Sequence, residues 1–148
     1  MLVAVAALLV SAGPARADHR GIKCYGGTGS TYSTCGWVWL DFATRRVSAQ
    51  ADIDDMPGSS KNWRYGVDNV KLWVKLNYYD PWVLDQSAAD SDGPFYPRDD
   101  AATDVASTGS VPCENFYFRA SWHYTKVSPA GTITASGTHY SDQMYCLP

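Results

Sequence analysis

At 148 residues the chain can bury one hydrophobic core but not two comfortable ones, so a single domain is expected. A net charge of −3 argues against nucleic acid, whose binders carry clustered basic surfaces. Fourteen Asp against the single Glu114, with abundant Gly, Ser, Thr, Tyr and Trp, favour turns and strands over helices.

Leu2 to Val10 is an unbroken run of Leu, Val and Ala, followed by Ser11-Ala12-Gly13-Pro14 and the small-x-small site Ala15-Arg16-Ala17. That pattern reads as a secretory leader over residues 1–17, although no basic residue precedes the apolar run. The run is too short for a hydrocarbon core that needs about 20 residues, so no membrane span is expected after cleavage. The mature chain would begin at Asp18, occupy residues 18–148 and fold in an oxidising compartment, where four cysteines are expected to form two disulfides.

Cys24 and Cys35 flank the glycine-rich Gly26-Gly27-Thr28-Gly29-Ser30, which favours their local pairing and leaves Cys113 for Cys146. Two crossed connectivities remain formally open. In the chain-entropy picture the local bridges contribute roughly 3 and 4 kcal/mol.

Three strands are expected next. Trp37 to Phe42 places Val38, Leu40 and Phe42 on one side, and Arg46 to Ile53 turns Val47, Ala49, Ala51 and Ile53 inward. From Val70 to Tyr79, Val70, Leu72, Val74, Leu76 and Tyr78 face a core, while Lys71, Trp73, Lys75, Asn77 and Tyr79 face away. Asp80-Pro81 ends or bends that strand, and Trp82-Val83-Leu84 continues it. Asp85 to Pro112 is expected as a long acidic loop with Arg98 as its only base.

Phe116 to Lys126 alternates strictly, with Phe116, Phe118, Ala120, Trp122 and Tyr124 inward and Tyr117, Arg119, Ser121 and His123 outward. Ser128-Pro129-Ala130-Gly131 turns the chain into Thr132 to Tyr140, making a β-hairpin. A turn centred between Pro129 and Ala130 sets Ile133 opposite Lys126, Ala135 opposite Tyr124 and Gly137 opposite Trp122, with Cys113 opposite Cys146 at the open end. A bulge at Gly131 would slip that register by one. Together the strands predict an all-β antiparallel sandwich. Cys24 followed by Trp37 or Trp39 resembles the opening of the immunoglobulin signature, but Val111 and Met144 stand where that family has Tyr before its second Cys. The resemblance implies the sandwich architecture alone.

Nothing points to a catalytic centre. No Gly-x-Ser-x-Gly elbow is present. His19 falls at the expected mature N-terminus, in a position read as loose, while His123 points outward and His139 inward. The cysteines are committed to disulfides and no HExxH helix exists, so zinc is poorly served. Carboxylates are plentiful, but most lie in turns, where Asp serves the backbone; this disfavours a glycoside hydrolase. Asp90-Ser91-Asp92-Gly93 and Asp52-Ile53-Asp54-Asp55 offer oxygen at close spacing for calcium, with Asp90 and Asp92 the better pair, yet neither completes an EF-hand loop. No metal or cofactor is therefore expected.

The surplus is aromatic. Trp73 and Tyr79 fall on a polar-patterned face beside Lys71 and Lys75, while Trp63, Tyr65 and Tyr96 sit in apparent loops. Exposed Trp and Tyr serve protein and sugar recognition alike. The expected function is a secreted, non-enzymatic binding module for a protein or carbohydrate ligand, using Trp63, Tyr65, Trp73, Tyr79 and Tyr96. Tyr79-Asp80-Pro81-Trp82-Val83-Leu84 resembles the Tyr-Asp-Pro-x-Val-Leu stretch after the reactive bond of subtilisin-inhibitor-like secreted proteins. The resemblance spans six residues, and Lys75, Leu76 and Asn77 supply no counterpart to the cysteine that braces the family's loop. It implies protease inhibition as an alternative function; a small hydrolase, needing a cleft with converging His or carboxylates, is a lesser one.

Overall fold

A computed structural model describes residues 17–26, 32–55, 63–88, 96–97 and 103–147. Strands β1 (Ala17–Gly26), β2 (Tyr32–Asp41), β3 (Arg46–Asp55), β4 (Arg64–Lys75) and β5 (Val83–Ala88) are followed by the two-residue β6 (Tyr96–Pro97). Then come β7 (Thr103–Ser107), β8 (Val111–Pro112), β9 (Phe116–Val127), β10 (Ile133–Tyr140) and β11 (Met144–Cys146). The described residues contain no helix, and so none long and apolar enough to cross a membrane.

Every pairing is antiparallel, in two sheets. The first runs β1-β2-β3-β7, with β8 also on β3; the second runs β10-β9-β4-β5, with β11 on β9 and β6 on β4. Period-two alternation gives each sheet an apolar inner face, and stacking those faces removes both from water. Val38, Leu40, Val47, Ala49 and Ile53 of the first sheet meet Val67, Val70, Leu72, Phe118 and Trp122 of the second. Trp122 is fully buried, and its indole N–H donates to Thr34 Oγ1 at 2.8 Å. Gly36 makes room for it, because a Cβ there would lie 2.2 Å from the indole ring.

The two disulfides are Cys24–Cys35 and Cys113–Cys146. The first joins directly opposed residues of β1 and β2. The second does not close the mouth of the last hairpin as the register arithmetic implied. Cys113 follows β8 of the first sheet and Cys146 belongs to β11 of the second, so the bridge staples the sheets together.

The hairpin register also differs from expectation. Ala135 pairs with Lys126, Gly137 with Tyr124 and His139 with Trp122. The Ser128–Thr132 turn is longer than assumed, closed by Ser128 N–H to Thr132 O at 2.8 Å with Gly131 at φ 84°, and an irregularity follows between Ile133 and Ala135. A two-residue slip preserves which side chains face inward.

β4 begins at Arg64, earlier than expected, and stops at Lys75. Leu76 and Tyr78, expected in the core, are exposed. The cause is a turn in which Asp80 Oδ2 accepts from the backbone and side-chain amides of Asn77, both at 2.9 Å, and which reverses the chain so that Val83 starts a separate strand. The region read as one long loop, 85–112, carries the end of β5 and all of β6, β7 and β8. His19, read as loose, is paired within β1 and sits edge-on to Trp37 and Trp39, with centroids 4.9 and 4.6 Å away. The leader-like residues 1–16 and the calcium candidates Asp90 and Asp92 lie outside the described residues.

Candidate functional site

The outer face of the second sheet gathers cations and rings in alternation. β4 presents Lys71, Trp73 and Lys75, paired in register with Ser121, Arg119 and Tyr117 of β9. Trp73 is half-buried, and its indole N–H donates to Ser121 Oγ at 2.8 Å, which fixes the ring against the sheet. Around it lies a shallow depression of about 560 Å³ lined by Asn69, Lys71, Trp73, Ser121, His123, Thr138 and Tyr140. The Lys71 ammonium stands 6.0 Å from the Trp73 ring centre.

Beyond Trp73 the Arg119 guanidinium is clasped between two rings, 4.4 Å from Trp82 and 4.6 Å from Tyr140. Lys75 is 7% exposed although it points away from the core. Its ammonium donates to the Tyr78 carbonyl and lies 4.6 Å from Trp82, 4.8 Å from Tyr78 and 5.5 Å from Tyr117. Tyr145 continues the row, 4.7 Å from Tyr117. Cation–π contact replaces part of the hydration these cations lose.

The electrostatics are one-sided. Lys71, Lys75 and Arg119 have no ion pair among the described residues, and Arg119 Nε is buried without a hydrogen-bond partner. Burial pushes the Arg119 pKa down, yet a guanidinium stays charged at any ordinary pH. The face therefore holds fixed positive charge with an unmet N–H, in a chain whose net charge is negative. Chemically it can stack a ring and accept an anion beside it.

Of the aromatic residues expected to form a binding surface, this face contains Trp73. Tyr79 sits at the adjoining hairpin tip, 94% exposed and edge-on to Tyr78 at 5.1 Å. Trp63 lies elsewhere, half-buried against the core beneath the Lys126 ammonium at 4.3 Å. Tyr65 is not on any surface: it belongs to β4, faces the other sheet and is 3% exposed, because the alternation of that strand turns it inward. Tyr96 pairs with Tyr65 through the backbone, and its side chain is outside what is described. Sequence reasoning missed Arg119, Trp82, Tyr117 and Tyr140 as site residues. The outward positions of Tyr117 and Arg119 were legible from alternation, but their alignment with Trp73 requires the register between β4 and β9.

The three histidines occupy separate places. His19 is on the outer face of the first sheet and His123 in the Trp73 depression. His139 is stacked between Tyr25 at 3.7 Å and Tyr124 at 4.9 Å, and burial pushes its pKa down. On β3, burial and the neighbouring Asp54 carboxylate raise the Asp52 pKa to about 6, against a backbone hydrogen bond from Cys35. Among the described residues no three His, Cys, Asp or Glu converge as a metal site would require. Comparison with known proteins finds no family model, curated protein or solved structure that matches the chain.

Proposed function

We propose that the protein is a secreted, non-enzymatic binding module whose ligand is an acidic carbohydrate held on the outer face of the second sheet. The observation that carries this reading is the Trp73–Arg119–Trp82 row, where Arg119, without an ion pair among the described residues, is paired in register with Trp73 and lies 4.4 Å from the Trp82 ring. A sugar ring presents C–H groups to an indole face, and a carboxylate or sulfate on that ring meets Arg119 or Lys71. Two disulfides and a leader-like N-terminal run support export.

Affinity electrophoresis tests it, with polygalacturonate in one gel and uncharged galactan in another. The protein is retarded by the first only. Trp73→Ala weakens the interaction by about 2 kcal/mol or more, the loss expected of a hot-spot tryptophan, and Arg119→Gln abolishes the preference for the charged polymer. Equal behaviour in both gels removes the acidic-carbohydrate reading.

One observation favours protease inhibition as a second reading. The tip Asn77–Pro81 is braced by the Asp80 carboxylate while Tyr79 stands 94% exposed, the shape of a rigid segment offered to a cleft. Titration against subtilisin-like and chymotrypsin-like proteases, with Tyr79→Ala as the control, decides that reading.

A further inference from the structure

A second concavity lies at the end of the sandwich where β4 and β9 meet β8. It is a cleft of about 500 Å³, within the roughly 300–1,000 Å³ range of small-molecule sites. Its walls are apolar: Val74, Val83, Val111, Phe116 and Phe118. Its lining also includes three carboxylates, Asp80, Asp85 and Glu114. None of the three has an ion pair among the described residues. Asp80 uses Oδ2 for the Asn77 amides, which leaves Oδ1 without a described partner.

The nearby cations are engaged elsewhere. Lys75 is among the lining residues, but its ammonium is taken by the Tyr78 carbonyl and by the rings of Tyr78, Trp82 and Tyr117. Arg46 is held by Ser110, its Nε donating to Oγ at 2.9 Å, and Arg45 donates to the Leu147 carbonyl. The cleft thus combines apolar walls with acidity that no side chain among the described residues neutralises.

We infer that this cleft binds a small organic cation, an apolar body carrying a single ammonium group. The body displaces water from Val83, Val111 and Phe116, gaining the usual free energy of apolar burial. Excluding that water lowers the local dielectric and strengthens attraction between the ammonium and the carboxylates. An uncharged ligand of the same shape receives only the first contribution, and an anion is repelled. The site is separate from the carbohydrate face, which is basic and aromatic.

The test is isothermal titration of the full protein with 4-phenylbutylammonium, 4-phenylbutanol and 4-phenylbutyrate, with amide NMR shifts to locate the contact. The amine binds one to one, at least about tenfold more tightly than the alcohol, and shifts the amides of Val83, Val111 and Phe116. Asp85→Asn with Glu114→Gln brings the amine down to the alcohol, while Val83→Trp, a substitution at an exposed position, blocks both. Trp73→Ala leaves amine binding unchanged, which separates this inference from the carbohydrate reading. Equal affinity for amine and alcohol, an amine affinity indifferent to the double variant, or shifts confined to the Trp73 face overturns it.

Discussion

The two ends of the sandwich interior are built from the same long strands, β4 and β9, yet one is filled and the other open. At the filled end a column of rings crosses between the sheets: Tyr25 on His139 at 3.7 Å, His139 on Tyr124 at 4.9 Å, Tyr124 on Tyr32 at 5.4 Å and Tyr32 near Tyr65 at 6.0 Å. Burial and the Tyr124 hydrogen bond push the Tyr32 hydroxyl up to about 12. At the open end Val74, Val111 and Phe116 are half-buried around the cleft. The second sheet is continuous through both, so the difference arises in the first. There, on the β3 edge away from β2, β7 pairs with Gln50–Asp54 toward the filled end, whereas Arg46 and Val47 meet the two-residue β8. The longer edge strand accompanies the closed end and the two-residue strand the open cleft.

That contrast can be broken most forcefully at Trp122, which lies 5.9 Å from both Tyr25 and His139. Trp122→Ala should cost about 3–5 kcal/mol in urea denaturation, as full truncation of a buried aromatic does. Val83→Ala at the cleft should stay within about 0.5 kcal/mol. Similar losses at both sites would show that the ends are packed alike.

The disulfides sharpen it further. Replacing Cys113 and Cys146 with Ala removes a link across 33 residues and should cost about 4 kcal/mol, against about 3 for Cys24 and Cys35, which enclose 11. Hydrogen exchange should quicken first in β8 and β11 when the inter-sheet link is lost. Uniform quickening across both sheets would contradict its role as a local staple.

The smallest effect is one of pH. His139 has a depressed pKa in the fold, so the stability it contributes is present above its ordinary value near 6.5 and is lost as pH falls toward its folded value. Asp52 is raised to about 6, so its contribution is present below 3.8 and is lost as pH rises through about 6. The two slopes oppose each other in the mildly acidic range. His139→Phe, which keeps a ring in the column, should make stability fall more steeply from pH 4 to 6. Asp52→Asn should raise stability at pH 7 and leave a net rise across the same interval. Thermal melts at pH 4, 5, 6 and 7 measure both, and unchanged profiles would discount the two groups.

Much of this architecture was readable from alternation. Val47 to Ile53 and Phe118 to Trp122 face inward as the pattern demands, because a strand packed on one side shows its burial in every second residue. Local cysteine pairing followed from a glycine-rich turn. β1 was not readable, since Asp18-His19-Arg20-Gly21 has no apolar period, and its place depends on pairing with β2. Tyr65 was misplaced for a related reason: Trp63-Arg64-Tyr65 is too short and polar to announce a strand, and only pairing with β9 makes it one. The site was half legible. Trp73 and Lys71 could be assigned to one outward face, but Arg119 joins them across a strand pair whose register no single segment encodes.

Asn69 governs more of this than its size suggests. It adopts φ 48°, and the β4–β9 ladder shifts between Asp68 and Lys71. Before it the inward residues are odd-numbered, Tyr65 and Val67; after it they are even-numbered, Val70 and Leu72. The strand changes parity at one left-handed residue, a conformation asparagine tolerates better than most side chains. Forcing that residue into ordinary extended geometry would carry the first parity onward and turn the strand inside out from there, driving Lys71, Trp73 and Lys75 into the interior and Val70, Leu72 and Val74 into water, whereas deleting it would leave every side chain on its present face. The second half of β4 is, in this sense, a reading frame set by one left-handed residue.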